Sequence, residues 1–372
     1  MIELDQLCGT RAAALTLAQI RQRCMNLEEL WVPGVLNVTV AIVAGLLVAI
    51  FVLIRRVKNG EGAGWVVLGT LEGLLYGGLG AWFGAIGGQM LALLLPPTVF
   101  GVMMLVFAVL SMLVMVGAMI KGDGGGTKAL GFFSHAALAG ALIAIAVVAF
   151  DVPARRAGNA FELYLLVSGV VFALTAFAGA LVVSLYRGYH GAVGWLLVPI
   201  NASWGALGNL LGLMNHFACL FYFKDWGKPS ERRLWYVRYD GGFNLKKNFD
   251  FTEGDAMSGN NVESHEATHV IQHFLFGPIY PLSHAAWVVL MFLPGLIAGG
   301  IAKHRNVGQG IVDFTYFNNP WEVIAYAVDG RRNDGEPKQP LIFNDVAAWI
   351  VGLLWIVGAT VAVIVFLADR LG

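Results

Sequence analysis

Residue types able to bind a metal ion and move protons crowd into one stretch, Ser264-His265-Glu266-Ala267-Thr268-His269-Val270-Ile271-Gln272-His273. On a helix, positions i and i+4 share a face. His265 and His269 therefore point the same way, about one turn apart, a separation that suits two neutral imidazoles meeting one tetrahedral zinc ion. Glu266 stands beside the first of them, placed to take a proton from a water that the metal activates. From the chain's own His and Glu frequencies, this pattern arises by chance ~0.005 times. The plainer alternative is a helix with two ordinary histidines and an accidental glutamate. The context favours the metal. Val270, Ile271, Phe274 and Leu275 give the segment an apolar flank, and Gly259-Asn260-Asn261 and Gly277-Pro278 supply its stops.

A catalytic zinc takes three protein ligands and keeps a fourth position for water. The third ligand is sought in Asn318-Asn319-Pro320-Trp321-Glu322, which continues to Asp329. Asn319 can cap a helix there and Pro320 suits its first turn. Glu322 then falls in the first turn, with Tyr326 and Asp329 on the same face. Simple complementation of the helix dipole also places acids at such positions. Asp329 is the reserve ligand, or an acceptor for a ligand histidine's second N–H.

These residues resemble the zincin metallopeptidases, in the branch whose third ligand is a glutamate on a later helix. The thermolysin-like Glu-x-x-x-Asp pattern is not met, since position 326 is Tyr. The chain is more similar to metallopeptidase-like domains associated with bacterial contractile injection systems. Those carry His-Glu-x-x-His-x-x-Gln followed by Asn-Pro-x-Glu-x-x-Ala, matched here from His265 to Gln272 and from Asn319 to Ala325. The resemblance covers roughly residues 235–335. It implies one Zn2+ held by His265, His269 and Glu322, with Glu266 catalytic, in a protein of a bacterial inner membrane.

The elements that must position this site are mostly oily. Of 372 residues 58% are hydrophobic and only 13% are charged, against about 25% charged in soluble domains. The composition predicts a polytopic membrane helix bundle, mainly α, carrying a small α+β zincin-like domain. Zero net charge argues against a nucleic-acid partner. Cys8, Cys24 and Cys219 form no close pair, so they predict neither a disulfide framework nor a Cys-type zinc site.

Residues 1–34 read as an interfacial amphipathic helix or one packed on the protein. Residues 35–223 form the multi-span bundle, with apolar runs at 35–54, 64–95, 99–120, 129–150 and 161–186. Residues 192–223 are apolar but broken by Pro199 and several small residues, as one kinked helix or a re-entrant pair. Within 64–95, Gly69, Gly73 and Gly77 repeat every four residues, as do Gly80, Gly84 and Gly88. Such repeats let helices approach closely, within one chain or between subunits, and this is favoured over a pore. Glu72 inside the run is a functional candidate by its depth alone. Residues 224–340 form the zincin-like domain, where 234–239 and 243–251 around Asp240-Gly241-Gly242 read as a β-hairpin whose free edge would hold an extended peptide. Residues 341–372 hold a last span, at 346–367.

One segment conflicts with the metal site. Residues 284–302 are long enough to cross the membrane, yet His269 before them and Glu322 after them must reach one ion. A full crossing separates the two by a ~30 Å core, and residues 303–318, with Lys303, His304, Arg305 and Asn306, read as a poor return helix. The expectation is therefore a re-entrant hairpin broken at Pro294-Gly295, or a helix lying on the membrane surface. The zinc-bearing residues 224–340 hold 12 of the 24 Lys and Arg residues, which favours the cytoplasmic face.

Together these features predict a membrane-anchored zinc endopeptidase acting on a protein or peptide near the bilayer. Tyr326, Tyr316, His273 and His304 are candidate donors to the developing oxyanion. Two other readings stay open. One is a structural zinc clamping residues 224–340 within a larger assembly; the other is a channel or transporter with a peptidase-like appendage, resting on Glu72 and the glycine repeats.

Overall fold

In the computed structural model the described residues are 27–121, 125–154, 160–186, 199–200, 202–222, 237–239, 252–253, 256–258, 263–301, 307–329 and 345–371. Side chains are described for fewer of these, and those of His265, Glu266 and Asp329 are not among them. The protein is a mainly α membrane bundle. Six described helical segments are long and apolar enough to cross a membrane: Asn37–Lys58, Ala63–Leu94, Pro97–Gly117, Phe132–Pro153, Ala160–Leu181 and Ile279–Ile301. The chain divides into two compact units, Met1–Asn260 with Leu367–Gly372, and Asn261–Phe366.

The first unit is built on helices α1 (Leu27–Lys58), α2 (Ala63–Leu94), α3 (Pro97–Lys121), α4 (Gly125–Ala154), α5 (Ala160–Tyr186) and α6 (Ala206–Tyr222). The glycines of α2 are consumed by packing. Gly73 and Gly77 admit Val48 of α1, while Gly84 and Gly88 lie against the backbone of α5 at Phe172 and Ser168. A Cβ on Gly84 would stand 2.7 Å from the Phe172 carbonyl oxygen and 2.8 Å from Ala176 Cβ. Backbones approach this closely only where both faces are small, and Ala44, Ala81, Ala85 and Ala173 complete that seam. Glu72 is half-buried on the same helix. The outer faces keep large apolar side chains exposed, Leu46, Leu47, Val102 and Leu113 among them.

Three short strands belong to this unit: β1 (Val237–Tyr239), β2 (Thr252–Glu253) and β3 (Ala256–Ser258), in the order β1-β3-β2. The second arm of the expected hairpin, 243–251, falls outside the described residues, so the strands seen here pair differently placed stretches. Strand β1 runs parallel to β3, and β2 is antiparallel to β3. The stretch 243–251 lies outside the described residues, as do residues 1–26, 187–198 and 223–236.

The second unit holds α7 (Glu263–Phe276), α8 (Ile279–Ile301), α9 (Val307–Val312), a π-helical turn (Asp313–Phe317), α10 (Pro320–Asp329) and α11 (Asp345–Leu371) as far as Phe366. Helix α7 stops where the sequence predicts. Gly277 takes φ +50°, and its N–H donates to the His273 carbonyl at 2.8 Å, a glycine C-cap.

Helix α8 departs from expectation. It is one continuous helix through Pro294, with no hairpin at Pro294-Gly295. Pro294 sits on the exposed face, where a proline is tolerated in an apolar helix if neighbouring structure absorbs the freed carbonyl. Beyond α8, residues 307–321 retrace it. Gly310 lies against Gly295 and Gly299, so that a Cβ on Gly295 would stand 2.8 Å from the Gly310 oxygen. Trp287 Nε1 then donates to the Phe314 carbonyl at 3.0 Å, and Trp321 Nε1 to Ser283 Oγ at 3.0 Å. Partners that climb from 310 to 321 on one strand descend from 299 to 283 on the other. Several of its polar side chains find partners within one turn. Gln309 Nε2 donates to Asp313 Oδ1 at 3.0 Å, and Thr315 Oγ1 to the Ile311 carbonyl at 2.7 Å.

Candidate functional site

Helix α10 begins as its sequence dictates. Asn319 Oδ1 accepts the Trp321 N–H at 3.2 Å, and the Asn319 carbonyl accepts the Val323 N–H at 2.9 Å. This is an N-cap followed by proline in the first helical position. A glutamate three residues after a cap commonly reaches back to the cap's own N–H. Here that N–H already donates to the Tyr316 carbonyl at 2.8 Å. The π turn arranges this, since the Asn318 N–H closes its wide loop onto the Asp313 carbonyl at 3.1 Å. The Glu322 carboxylate points elsewhere, toward α7.

There it meets His269. Glu322 Oε2 lies 3.4 Å from His269 Nε2, and the two residues are 4% and 3% exposed. Two candidate ligands 53 residues apart, on either side of a membrane-length helix, are thus brought together, because residues 307–321 return the chain to the end of α8 where α7 leaves it. A charge-assisted N–H···O bond measures about 2.7–2.9 Å, so 3.4 Å is long for one. A tetrahedral ion with bonds of about 2.0–2.2 Å holds its donor atoms roughly 3.3–3.6 Å apart. The separation, the burial and the imidazole–carboxylate donor pair all fit a zinc ion.

His265 and Glu266 share α7 with His269, on the residues just before it, but their side chains lie outside the described set. Among the described residues no group of three or more His, Cys, Asp or Glu side chains gathers at one point. The third corner of the expected site, His265, is therefore placed by its backbone alone, one turn before His269 on a continuous helix.

The surroundings are aromatic. Tyr280, Trp321 and Ile356 form a buried cluster with Phe276 and Ile324 against it. Trp321 stands edge-on to Phe276 at 4.9 Å and to Tyr280 at 5.1 Å. Such pairs contribute about 0.5–1.5 kcal/mol each beyond their buried area, enough to hold α7, α8 and α10 in register. His273 is buried, with its ring edge-on to Tyr280 at 4.3 Å, and the Tyr280 ring lies 5.9 Å from that of His269.

Gln272 Oε1 lies 2.8 Å from His269 Nδ1, and Gln272 Nε2 donates to the Trp321 carbonyl at 3.1 Å. Gln272 thus contacts both helices directly. Of the oxyanion candidates, Tyr326 Oη donates to Tyr316 Oη at 3.5 Å, so these two hydroxyls meet on the α10 side. His304 lies outside the described residues.

Sequence reading missed Tyr280, Ser283 and Trp321 as the frame of the site. Their signal was present as a spacing: Tyr280, Ser283 and Trp287 recur at three and four residues, the buried edge of α8. Apolar character on the helix's other faces concealed it. No family model matches this chain, and no curated protein or solved structure does so either.

Proposed function

We propose that the protein is a membrane-embedded zinc endopeptidase, with a zincin-like domain in residues 224–340. The observation that carries this is the buried 3.4 Å approach of Glu322 Oε2 to His269 Nε2, taken with the His-Glu-x-x-His motif on α7. His265, His269 and Glu322 would hold the ion, and zinc so held supplies Lewis-acid polarisation of a carbonyl group and of water. Glu266 takes a proton from the attacking water and later delivers it to the leaving amine. Helix α8 starts at Ile279, directly after α7, so the pair sits at one end of a membrane-length helix. That position suits a substrate presented at the bilayer surface: a peptide, or the juxtamembrane part of another membrane protein.

The test uses the full chain in detergent, with its metal content measured and cleavage followed on a quenched fluorescent peptide library. Glu266→Gln should keep stoichiometric zinc and lower cleavage about 10³-fold, within the range for losing a general base. Undiminished cleavage by this variant, or a purified chain with no zinc affinity, would remove the proposal.

A second reading draws on the burial of His269, Glu322 and His273 together. In it the zinc is structural and ties α7 to α10 with a closed shell of four protein ligands. It predicts bound zinc without cleavage, and loss of zinc in His273→Ala.

A further inference from the structure

We propose that Gln272 is the positioning residue of this site, setting the His269 tautomer and locking the two metal-bearing helices to each other. The inference rests on the metal reading above. It starts from a carbonyl oxygen. The Trp321 carbonyl can only accept, so the Gln272 amide must turn its NH₂ toward it. The amide oxygen then faces His269 Nδ1 at 2.8 Å. An oxygen facing a ring nitrogen at that distance requires a proton on the nitrogen, so Nδ1 carries the hydrogen. In the neutral ring, the form a metal ligand takes, the lone pair is then on Nε2, the atom facing Glu322 Oε2 at 3.4 Å. One side chain thereby selects the metal-binding form of the imidazole and aims it.

The same amide reaches the residue immediately before Glu322. Its oxygen holds a ligand on α7, and its nitrogen holds the first turn of α10. Gln272 and Trp321 are 4% and 0% exposed, so both hydrogen bonds lie where water does not compete for them. Outer partners of metal ligands are commonly worth 10- to 100-fold in metal affinity. This one touches both ligand helices.

The test measures Zn²⁺ affinity of the full chain by chelator competition, with Co²⁺ as a spectroscopic probe of ligand geometry. Gln272→Met keeps the volume and removes both hydrogen bonds. It should weaken Zn²⁺ binding 10- to 100-fold and alter the visible Co²⁺ bands. Gln272→Glu keeps an acceptor for Nδ1–H but loses the donor to the Trp321 carbonyl, so its Zn²⁺ affinity should fall between that of the native chain and that of Gln272→Met. Native affinity and an unchanged Co²⁺ spectrum in Gln272→Met would overturn the proposal, as would fully native affinity in Gln272→Glu. If Gln272→Met is not recovered folded, the Gln272→Glu result decides. His269→Ala separates the two levels of inference. A native chain that binds no zinc, or binds it equally well without His269, sinks the site itself. Zinc that needs His269 but ignores Gln272 sinks only the positioning role.

Discussion

The glycine-rich helix α2 and the returning run 307–321 solve the same problem, close approach of two helices, by opposite means. Helix α2 meets α1 and α5 through absence: Gly73 and Gly77 leave room for Val48, and Gly84 and Gly88 lie against the backbone of α5. The run 307–321 uses one glycine contact, Gly310 on Gly295 and Gly299, and then a series of specific hydrogen bonds from Trp287, Trp321 and Gln272. The first kind of seam tolerates any partner that is small enough. The second fixes a single register, which a site assembled from distant residues requires. The glycine seam should therefore respond to added volume, and the returning run to lost polar atoms.

The largest effect is expected at the second seam. Glu322→Ala should lower Zn²⁺ affinity more than 100-fold, since even outer partners are worth 10- to 100-fold. Chelator competition on the full chain measures it. If affinity is unchanged, the His269–Glu322 pair is a buried structural contact, and the comparison loses its functional half.

The two seams also differed in how far they could be read in the sequence. Glycine every fourth residue is a local, periodic signal, and its packing reading holds for Gly73, Gly77, Gly84 and Gly88. The cap at Asn319 and the stop at Gly277 were equally legible, because each is decided by a few neighbouring atoms. The path of residues 284–318 was not. Pro294-Gly295 looked like a break, yet the helix runs through it. Lys303, His304, Arg305 and Asn306 predicted a poor return helix, yet residues 307–321 run back along α8, with Gln309 and Asp313 bonded one turn apart within them. Whether a polar residue interrupts a helix or is absorbed by it depends on its partner, and the approach of Glu322 to His269 rests on that long-range outcome. Likewise the strand order β1-β3-β2 follows from which stretches meet in space, and no local signal gives it.

Gly84→Val tests the glycine seam. Its Cβ alone would meet the Phe172 oxygen at 2.7 Å, and relieving that contact should cost about 3 kcal/mol, the upper part of the usual range for overpacking. Thermal unfolding in detergent should register the loss. Gly140→Ala is the control, since a Cβ there meets nothing within 4 Å. Replacing a mid-helix glycine at such a site should stabilise the chain by about 0.5–1 kcal/mol. Equal effects from the two variants would mean that α2 is held by something other than close approach.

The smallest effect probes whether the returning run depends on individual polar atoms. Ser283 Oγ donates to the Ile279 carbonyl at 2.6 Å and accepts the Trp321 indole N–H at 3.0 Å. Ser283→Ala removes only the hydroxyl. The Ile279 carbonyl keeps its place in the α8 backbone ladder, so the group left orphaned is the Trp321 N–H. Trp321 is fully buried, and an unmet donor at such a place costs about 1–3 kcal/mol. The indole can tilt within its edge-on contacts to Phe276 and Tyr280, so the expected loss is near 1 kcal/mol, read by thermal unfolding. Zn²⁺ affinity should fall less than threefold, because Gln272 still holds the Trp321 carbonyl. A tenfold fall would make the indole bond, rather than the amide of Gln272, the element that sets Glu322 against His269.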